Sequence, residues 1–363
     1  MTGLSVVIAG GGTGGHLFPG IAVAREIQRR VPGARVSFAG TSRGLEATVV
    51  PAEGFELDVI RSAGIKGKSP GARLRGASLI VPSLWDAWQV ISRRRPQVVV
   101  GVGGYSSGPI VMVAWLRGVR TLVLEQNAVP GLTNRLLARI VHAAAVTYEE
   151  TLKHFKGRGF VSGNPVRQEF FAAAAAAPSA GSRAGRRLLV LGGSQGAHIL
   201  NVTMATAVPA LMKRVPSLDV LHQTGARDLD EVRQAYHAAG VAARAESFLN
   251  PVAPEMAAAD LVICRAGATT LAELAASGRP AVLIPYAAAT DDHQRRNARV
   301  LVAAGAAAMV EESELSGDRL ATLVVELLDD DARRVAMARA MHGQARPDAA
   351  GLIVARLLEL ARA

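Results

Sequence analysis

The sequence has one cysteine, few aromatic residues and no long apolar run, and each scarcity narrows what the chain can be. Cys264 has no second cysteine to pair with, which excludes an internal disulfide and a cysteine-rich metal site. A lone thiol fits a reducing compartment. Aromatic residues are only 4% of the chain, so alanine, valine, leucine and glycine must do most of the packing.

No stretch resembles a membrane span or an export signal. No run of about 18 apolar residues is free of glycine, proline and charge. The N-terminal segment MTGLSVVIAGGG lacks a basic region and leads directly into an expected strand and a glycine turn. We therefore expect a cytoplasmic protein.

The net charge of +11 lies entirely in the first half of the chain. Residues 1–165 carry 20 lysines and arginines against 9 acidic residues, whereas residues 166–363 carry 21 of each. A positive field of this kind attracts phosphates, nucleic acid or an anionic membrane surface. Because no motif or aromatic pattern typical of nucleic-acid binding is present, we expect no nucleic-acid partner.

Short apolar runs alternate with helical patterns in two successive series, which predicts an α/β fold with parallel sheets. The expected strands of the first series are Ser5–Ala9, Val36–Gly40, Gln97–Val102, Thr121–Glu125 and Ala143–Thr147. Those of the second are Arg187–Leu191, Leu218–Leu221, Leu261–Cys264, Ala281–Pro285 and Ala306–Val310. We predict two Rossmann-like domains, residues 1–165 with a C-terminal helix at about 346–363, and residues 166–345.

The segment FFAAAAAAPSAGSRAGRR (Phe170–Arg187) is poor in residues that pack. It can begin as a helix, but its Pro-Ser-Ala-Gly stretch predicts a linker or an exposed loop.

Polar and glycine-rich clusters follow the expected strands, where ligands of such sheets bind. They are Gly10–His16, Gly101–Pro109 and Glu125–Gly131 in the first half, and Gly192–Ala197, His222–Gly225 and Cys264–Glu273 in the second. We expect these clusters to converge on one cleft between the domains, as a two-substrate enzyme requires.

The first cluster contains the pattern G-x-G-x-x-G, formed by Gly10, Gly12 and Gly15. A glycine turn before a helix presents N–H groups and a positive dipole end to an anion. A dinucleotide site also needs an acidic residue about twenty positions further on, but Thr41 stands at the end of the second expected strand. Arg43 could bind a 2′-phosphate, so an NADP site is one remaining interpretation of this cluster. A turn that binds no ligand is the other.

His16 follows this glycine turn and precedes Pro19, which we place in the first turn of a helix. An imidazole at this position can accept a proton from a substrate. A histidine that only caps or packs on the turn is the structural alternative.

The segment Cys264–Glu273 allows two interpretations, with Gly278 ending the helix in both. Thr270 and Glu273 have the spacing of a capping box, which would give Glu273 a structural role. Alternatively, Glu273 accepts hydrogen bonds from both hydroxyls of a ribose. The nearby Asp291 and Asp292 suggest a metal pair but are equally ordinary as helix N-terminal acids, and no third ligand has a telling spacing.

A tryptophan-bearing helix is predicted in the segment ARLRGASLIVPSLWDAWQVISRRRP. Its apolar residues recur at helical spacing, and Pro82 should break or kink it. These apolar residues are Leu74, Val81, Leu84, Trp85, Trp88 and Ile91, and the flanking arginines are Arg73, Arg75 and Arg93–Arg95. Such a helix can lie in the interface of an anionic bilayer, or it can face the core with solvated ends.

Eight segments of the chain, in order, resemble the MurG family of peptidoglycan glycosyltransferases, and they cover nearly the whole chain. They are GGTGGHLFPG, GVGGYSSGP, EQNAVPGLTNRLLA, SGNPVR, GGSQGA, HQTG, CRAGATTLAE and DDHQRRNA. The resemblance implies a GT-B fold whose N-terminal domain takes a lipid-linked acceptor and whose C-terminal domain takes UDP-GlcNAc. It also implies a peripheral enzyme at the cytoplasmic face of the plasma membrane.

The resemblance implies roles for individual residues by motif position. Glu273 matches the ribose-binding glutamate, Ser194 matches the loop that faces the pyrophosphate, and the backbone at Leu249 matches the contact to uracil. The further donor contacts that it implies are Thr13, Gly14, Gly15, Asn127, Arg167, Thr270 and Gln294. Tyr105, Ser106 and also Asn127 match the acceptor side, while a sugar contact at His293 is in doubt because some members carry two glutamines here.

An inverting sugar transfer needs a base at the acceptor hydroxyl and stabilisation of the departing UDP, but no covalent nucleophile. His16 is the candidate base, with Glu125 as a second candidate. The glycine-rich helix starts could hold the pyrophosphate, so we expect neither a cofactor nor a required metal. A UDP-GlcNAc epimerase of similar fold and an NADP oxidoreductase are the alternative enzymes.

Overall fold

The computed structural model describes residues 3–62, 78–177, 186–193 and 195–363. The chain divides into two compact units, 1–167 with 346–363, and 168–345. Each unit contains one parallel sheet covered by helices, which confirms the predicted α/β class. No helix within the described ranges is long and apolar enough to cross a membrane.

The first unit is built on a seven-stranded sheet in the order β3-β2-β1-β4-β5-β6-β7. Its strands are β1 (Ser5–Gly10), β2 (Arg35–Gly40), β3 (Glu56–Val59), β4 (Val98–Gly103), β5 (Arg120–Glu125), β6 (Ala143–Val146) and β7 (Gly159–Val161). The order reverses between β1 and β4, and at this switch point a ligand crevice is expected. The turns after β1, β4 and β5 therefore lie side by side.

Helices cover both faces of this sheet. They are α1 (Gly14–Arg30), α2 (Glu46–Ala52), α3 (Ile80–Arg94), α4 (Ser107–Leu116), α5 (Leu132–Leu137) and the C-terminal helix Ala349–Arg362, with a 3₁₀ turn at Glu149–His154. On one face, α1 and the C-terminal helix bury a cluster that includes Ile8, Leu17 and Leu357. On the other face, α3 and α4 bury Val90, Ile91 and Ile110.

The second unit is built on a six-stranded sheet in the order β10-β9-β8-β11-β12-β13. Its strands are β8 (Arg186–Leu191), β9 (Leu218–Gln223), β10 (Arg244–Glu246), β11 (Leu261–Cys264), β12 (Ala281–Leu283) and β13 (Ala307–Met309). The order reverses between β8 and β11, so the turns after these two strands flank the second switch point.

The helices of the second unit include one that opens the alanine-rich segment, as predicted. They are α6 (Gln168–Ala176), α7 (His198–Arg214), α8 (Leu229–Ala238), α9 (Ala253–Ala258), α10 (Ala268–Ser277), α11 (His293–Ala303), α12 (Gly317–Asp329) and α13 (Asp331–Gly343), with 3₁₀ turns at Thr290–Asp292 and Glu312–Glu314. The expected linker after α6 lies in residues 178–185, outside the described ranges.

The predicted position of Pro19 is wrong: it lies in the second turn of α1, because the helix already begins at Gly14. Pro82 lies in the first turn of α3, which begins at Ile80, so no intrahelical N–H bond is lost there. Most of the predicted helix before Ile80 lies outside the described residues, so the break or kink at Pro82 stays a prediction.

Candidate functional site

In the first unit, the turn after β1 places His16 against the end of β4. His16 is the third residue of α1. A Cβ added to Gly103 would lie 2.6 Å from its Nδ1 atom and 2.8 Å from Cε1. Gly103 has φ = 101°, a conformation that favours glycine. Only glycine at position 103 therefore admits the imidazole ring where it lies.

The two glycine turns that follow β1 and β4 approach each other closely. A Cβ on Gly104 would lie 2.6 Å from the carbonyl oxygen of Gly11. Tyr105 follows with 52% of its surface exposed, and Ser106 is buried as the residue before α4. The structure thus brings His16 to the same edge of the sheet as the two predicted acceptor-side residues.

Glu125 ends β5 and is buried, with 3% of its surface exposed. Its Oε1 accepts the main-chain N–H of Asn127 at 3.0 Å and the Asn127 side-chain amide at 3.2 Å. Its Oε2 accepts the N–H of Gly131 at 3.1 Å and the Asn134 amide at 2.8 Å. Burial raises the pKa of this carboxyl while these donors oppose the shift. The arrangement holds the loop from Asn127 to Asn134 in shape, and it also engages the predicted donor contact Asn127.

Arg167 is the last residue of the first segment of the first unit, and it lies beside the start of α1. Its guanidinium stacks over the Phe18 ring at 4.4 Å from the centroid. A Cβ on Gly14 would come within 2.9 Å of the same ring. Arg167 therefore lies near the predicted donor contacts Thr13, Gly14 and Gly15, of which Thr13 is exposed and the two glycines are half-buried.

In the second unit, the turns after β8 and β9 are packed backbone to backbone. A Cβ on Gly196 would lie 2.0 Å from the carbonyl oxygen of Thr224, and one on Gly225 would lie 2.7 Å from that of Gln195. Glycine at these places lets the predicted pyrophosphate loop lie directly on the HQTG turn. Ser194, the predicted pyrophosphate contact, lies outside the described residues.

Gln223, the last residue of β9, joins two parts of the predicted donor site and was not among the predicted site residues. Its side-chain amide donates to the carbonyl of Gly193 at 2.9 Å, and its Oε1 accepts the N–H of Leu249 at 3.0 Å. One buried side chain thus fixes both the loop after β8 and the backbone predicted to contact uracil. Gln223 belongs to the polar cluster His222–Gly225 at the end of a predicted strand, and this position is the sequence feature from which its role could have been predicted.

Glu273 lies inside α10, and the structure contradicts the capping-box interpretation. The helix begins at Ala268 after Gly267, so Thr270 is its third residue and cannot be the N-cap. Gly278 ends the helix in the left-handed conformation with φ = 61°, as predicted. Burial and the negative charge of Glu273 raise the pKa of the Cys264 thiol to about 12. The half-buried Glu273 carboxylate therefore lies near the carboxyl end of β11.

Gln294, in the first turn of α11, bridges the turns that follow β11 and β12. Its Oε1 accepts the N–H of Ala266 at 3.2 Å and that of Tyr286 at 3.0 Å. The oxygen is thereby engaged by the backbone, so a contact to a ligand would come from the amide nitrogen. The Nδ1–H of His293 donates a hydrogen bond to the Thr290 carbonyl at 2.6 Å.

Asp291 and Asp292 directly precede α11, and both have φ = 55°. Over the ranges that the structure describes, no group of three histidine, cysteine or acidic side chains is arranged to hold a metal ion.

Comparison with protein families matches both units. The model of the glycosyltransferase family 28 N-terminal domain matches residues 6–146. The model of the family 28 C-terminal domain matches residues 187–353. The two matches together span most of the chain and follow the division into two units.

The chain is also similar to curated proteins over almost its full length. It is 46% identical to the UDP-N-acetylglucosamine--N-acetylmuramyl-(pentapeptide) pyrophosphoryl-undecaprenol N-acetylglucosamine transferase of Anaeromyxobacter sp. (strain K), covering 99% of this chain and 94% of the relative. It is 44% identical to the Pelobacter propionicus protein of the same name, covering 98% of this chain and 99% of the relative.

Among solved structures, Acinetobacter baumannii MurG superimposes with a TM-score of 0.77 at 28% identity, covering 98% of this chain and 99% of that one. This likeness confirms the GT-B architecture of two Rossmann-like domains. A Neisseria meningitidis UDP-GlcNAc 2-epimerase bound to UDP-GlcNAc has a TM-score of 0.70 at 14% identity, covering 99% of this chain and 100% of that one, so the shared feature is the fold alone. The chain belongs to glycosyltransferase family 28 and, within it, to the MurG family of N-acetylglucosamine transferases.

Proposed function

We propose that the chain transfers N-acetylglucosamine from UDP-GlcNAc to the 4-hydroxyl of the N-acetylmuramyl group of undecaprenyl-pyrophosphoryl-N-acetylmuramyl-pentapeptide. This is the conversion of lipid I to lipid II in peptidoglycan synthesis. Family membership over the whole length of the chain carries the proposal. The site geometry supports it, because each unit presents glycine turns and polar side chains at its switch point.

The reaction is an in-line displacement that inverts the anomeric carbon of the donor sugar. The acceptor hydroxyl must lose a proton as it attacks, and we assign His16 as the base. The Nδ1–Cε1 edge of its ring lies against Gly103, so we assign Nε2 to take the proton. Glu125, whose two oxygens both accept hydrogen bonds within its own loop, instead shapes the acceptor-side turn in this proposal.

The second unit holds the donor. Glu273 accepts from the ribose hydroxyls, and the Leu249 carbonyl meets the uracil ring because its N–H already binds Gln223. The N-termini of α7 and α10, together with Ser194, face the pyrophosphate and stabilise the departing UDP. Thr270 and the Gln294 amide complete the donor contacts of the second unit. Arg167, Asn127 and the Thr13–Gly15 turn keep the donor-contact roles that the family resemblance implies for them. No metal ion or cofactor is invoked.

Transfer of radiolabelled sugar from UDP-GlcNAc to a short-chain lipid I analogue tests the proposal. We expect a labelled disaccharide lipid and stabilisation of the protein by UDP in a thermal-shift assay. Release of an epimerised sugar nucleotide in place of a labelled lipid would support the epimerase alternative. Stabilisation by NADP and not by UDP would support an oxidoreductase.

Gln223 gives the first prediction. Gln223→Ala removes the bonds that hold both Gly193 and the Leu249 backbone. Because each such bond contributes about 0.5–1.5 kcal/mol, we expect KM for UDP-GlcNAc to rise by about tenfold with a smaller change in KM for the acceptor. Initial rates at varied donor concentration measure this.

Gln97→Ala is the matched control. Gln97 also bridges two main-chain groups, accepting the Ser5 N–H at 2.6 Å and donating to the Gly3 carbonyl at 3.2 Å. It directly precedes β4, so it lies at the amino ends of the strands of the first sheet and away from the predicted site. Equal effects of the two substitutions on the donor KM would contradict the role of Gln223.

We further propose that the first unit docks on an anionic bilayer through an exposed apolar patch on α3, formed by Ile80, Val81, Trp85 and Trp88. These side chains are 46%, 75%, 60% and 48% exposed, respectively. Ile91, which the sequence analysis placed on the same face, is buried at 2% exposure. The helix therefore has a core-facing side, as one of the two interpretations predicted, and also an outward apolar side. Docking of that outward side on a membrane stays our proposal.

Basic and apolar neighbours extend this patch. The Arg117 guanidinium stacks on the Trp88 ring at 4.5 Å. Trp115 and Leu116 at the end of α4 are 39% and 65% exposed. Exposed apolar rings among arginines, in the half of the chain that carries all the net charge, suit the interface of an anionic membrane. Arg73, Leu74 and Arg75 of the predicted flank lie outside the described residues. Together with the proposed lipid-linked acceptor, this docking surface supports our further proposal that the chain is a peripheral protein at the cytoplasmic face of the plasma membrane.

The second prediction concerns vesicle binding. We expect the double variant Trp85→Ala/Trp88→Ala to bind vesicles containing phosphatidylglycerol at least about tenfold more weakly, because burial of each ring contributes on the order of 2 kcal/mol. Binding should also weaken as salt rises. Flotation measures both effects. Phe248→Ala, which removes a 56% exposed ring from the second unit, is the control and should leave binding unchanged. Vesicle binding that is insensitive to both tryptophans and to salt would refute the proposal.

A further inference from the structure

Glu46 is a fully buried carboxylate beside the first glycine turn, and the mechanism above does not use it. It begins α2 and has 0% of its surface exposed. Its Oε2 accepts the N–H of Gly12 at 2.7 Å. Its Oε1 accepts the N–H of Thr41 at 2.9 Å and the Thr41 hydroxyl at 2.8 Å. One side chain therefore ties the turn after β1 to the end of β2.

Three glycines make room for this carboxylate. A Cβ on Gly11, Gly40 or Gly44 would lie 2.4, 2.7 or 2.1 Å from an atom of the Glu46 side chain. Burial alone would raise the pKa of Glu46, but the N–H donors of Gly12 and Thr41 outweigh it and lower the pKa. The carboxylate is therefore charged at neutral pH, and the chain has a preformed anion site that its own side chain fills.

The filled site explains why this turn is not a dinucleotide cradle despite its G-x-G-x-x-G pattern. In such a cradle the N–H groups of the turn bind a pyrophosphate. Here the N–H of Gly12 binds Glu46, and Thr41, which stands at the position of the missing ribose-binding acid, is a second donor to the same carboxylate. A phosphate at this N–H would meet both an occupied donor and a like charge.

Close contacts connect the carboxylate to His16. Glu46 holds Gly12, and the neighbouring Gly11 carbonyl lies so near Gly104 that a Cβ added to Gly104 would be 2.6 Å from its oxygen. Gly103, in turn, lies against the His16 ring. The space at these points is too small for any side chain, so a shift of the Gly11–Gly12 segment must move its neighbours.

We propose that Glu46 is a positioning residue for the transfer reaction, acting as an internal anion that fixes the Gly11–Gly12 turn and, through it, the His16 ring. The inference rests on the proposed role of His16 as base. Removal of the negative charge should let the turn relax and misplace the ring. Misplacement of a catalytic group by about 1 Å can cost about 100-fold in rate.

The test compares Glu46→Gln and Glu46→Ala with Asp58→Asn. Asp58 is a second buried carboxylate of the same sheet, 4% exposed and ion-paired with Arg93 and Arg94. We expect both Glu46 variants to lower kcat by about 10- to 100-fold with the donor KM within about twofold of the wild-type value. The Asp58 variant should lower Tm without this loss of kcat.

Formate provides a readout that a purely structural role would not give. In Glu46→Ala the vacated anion site keeps its N–H donors, so added formate should restore part of kcat, whereas acetamide should not. If Glu46→Ala does not fold, Thr41→Val is the milder variant, since it removes one donor and leaves both N–H groups. We expect it to lower kcat by about threefold to tenfold. Unchanged kcat in the folded variants, or loss of kcat that formate does not restore, would overturn the inference.

The His16 ring resonances in an NMR spectrum separate this inference from the proposed function. Glu46→Gln should shift them and Asp58→Asn should not, whether or not the assayed acceptor is the right one. A shift without any transferase activity in the wild-type protein would retain the coupling and reject the function. Sugar transfer by the wild-type protein, with unshifted His16 resonances in Glu46→Gln, would retain the proposed function and reject the coupling.

Discussion

Replacement of His16 by alanine is expected to lower kcat by about 10²- to 10⁴-fold, the contribution typical of a general base. The ring lies against Gly103 at the edge where the turns after β1 and β4 meet, and no other imidazole occurs in either turn. The UDP contacts assigned to the second unit should be unaffected. We therefore expect the variant to bind UDP with wild-type affinity while the chemical step fails.

Three measurements make this expectation specific. Single-turnover transfer at saturating substrates reports the chemical step, and a UDP thermal shift reports donor binding. Added imidazole should raise the rate of His16→Gly, where the missing ring leaves room for the free base, if the ring acts by accepting a proton. Turnover of His16→Ala within about tenfold of the wild-type rate would remove His16 from the mechanism.

His142→Ala is the matched control for His16→Ala. His142 precedes β6 and its Nδ1 lies 3.1 Å from the N–H of Thr121, near the start of β5. His142 therefore belongs to the same sheet, but it lies at the amino ends of the strands, whereas His16 lies at their carboxyl ends. We expect a modest loss of Tm and a kcat close to that of the wild-type protein.

The central strands of both sheets were predictable because they are buried on both faces. Val98–Gly103 and Leu261–Cys264 read as continuous apolar or glycine runs, since neither face of the strand meets water. The edge strands Glu56–Val59, Gly159–Val161 and Arg244–Glu246 were not predicted. Each is three or four residues long, pairs on one side only and contains charged or glycine residues, so it lacks the pattern that marks a strand.

The start of α10 shows why a local motif did not settle the role of Glu273. The letters Thr-x-x-Glu fit a capping box, but Gly267 and Ala268 can also enter a helix, and the structure begins the helix there. Which residue caps the helix depends on where the turn after β11 must lie in the packed sheet. That information is tertiary and is not contained in the motif.

Long-range side-chain bonds were the least predictable part of the site. Gly12 and Glu46 are 34 positions apart, and Leu249 and Gln223 are 26 apart. A dinucleotide site requires an acid at position 41, where the chain has threonine, and the acid stands at position 46 instead. Nothing in the spacing shows that a glutamate five residues later folds back beneath the glycine turn. In both cases, the partner is set by which strands are neighbours in the sheet.

The largest effect on donor affinity is expected at Glu273. Hydrogen bonds to a charged group contribute about 1.5–3 kcal/mol each, so loss of both ribose contacts should weaken UDP and UDP-GlcNAc binding by about 10²- to 10⁴-fold. The affinity of Glu273→Gln for UDP should lie between those of the wild type and Glu273→Ala, since its one amide oxygen can still accept a hydrogen bond. Calorimetry with UDP measures the affinities. Glu231→Gln, an exposed carboxylate in the first turn of α8, is the control and should change neither.

A 2′-deoxyribose donor separates recognition of the ribose from an indirect effect on the fold. If Glu273 accepts from the 2′-hydroxyl, 2′-deoxy-UDP should bind the wild-type protein more weakly than UDP, and Glu273→Ala should bind both nucleotides alike. The coupling between substitution and missing hydroxyl is then the energy of that contact. Because Thr270 is not the N-cap of α10, loss of Glu273 removes no cap from this helix. Equal discrimination against the deoxy nucleotide by the wild-type protein and by Glu273→Ala would contradict a ribose contact and favour a structural role for Glu273.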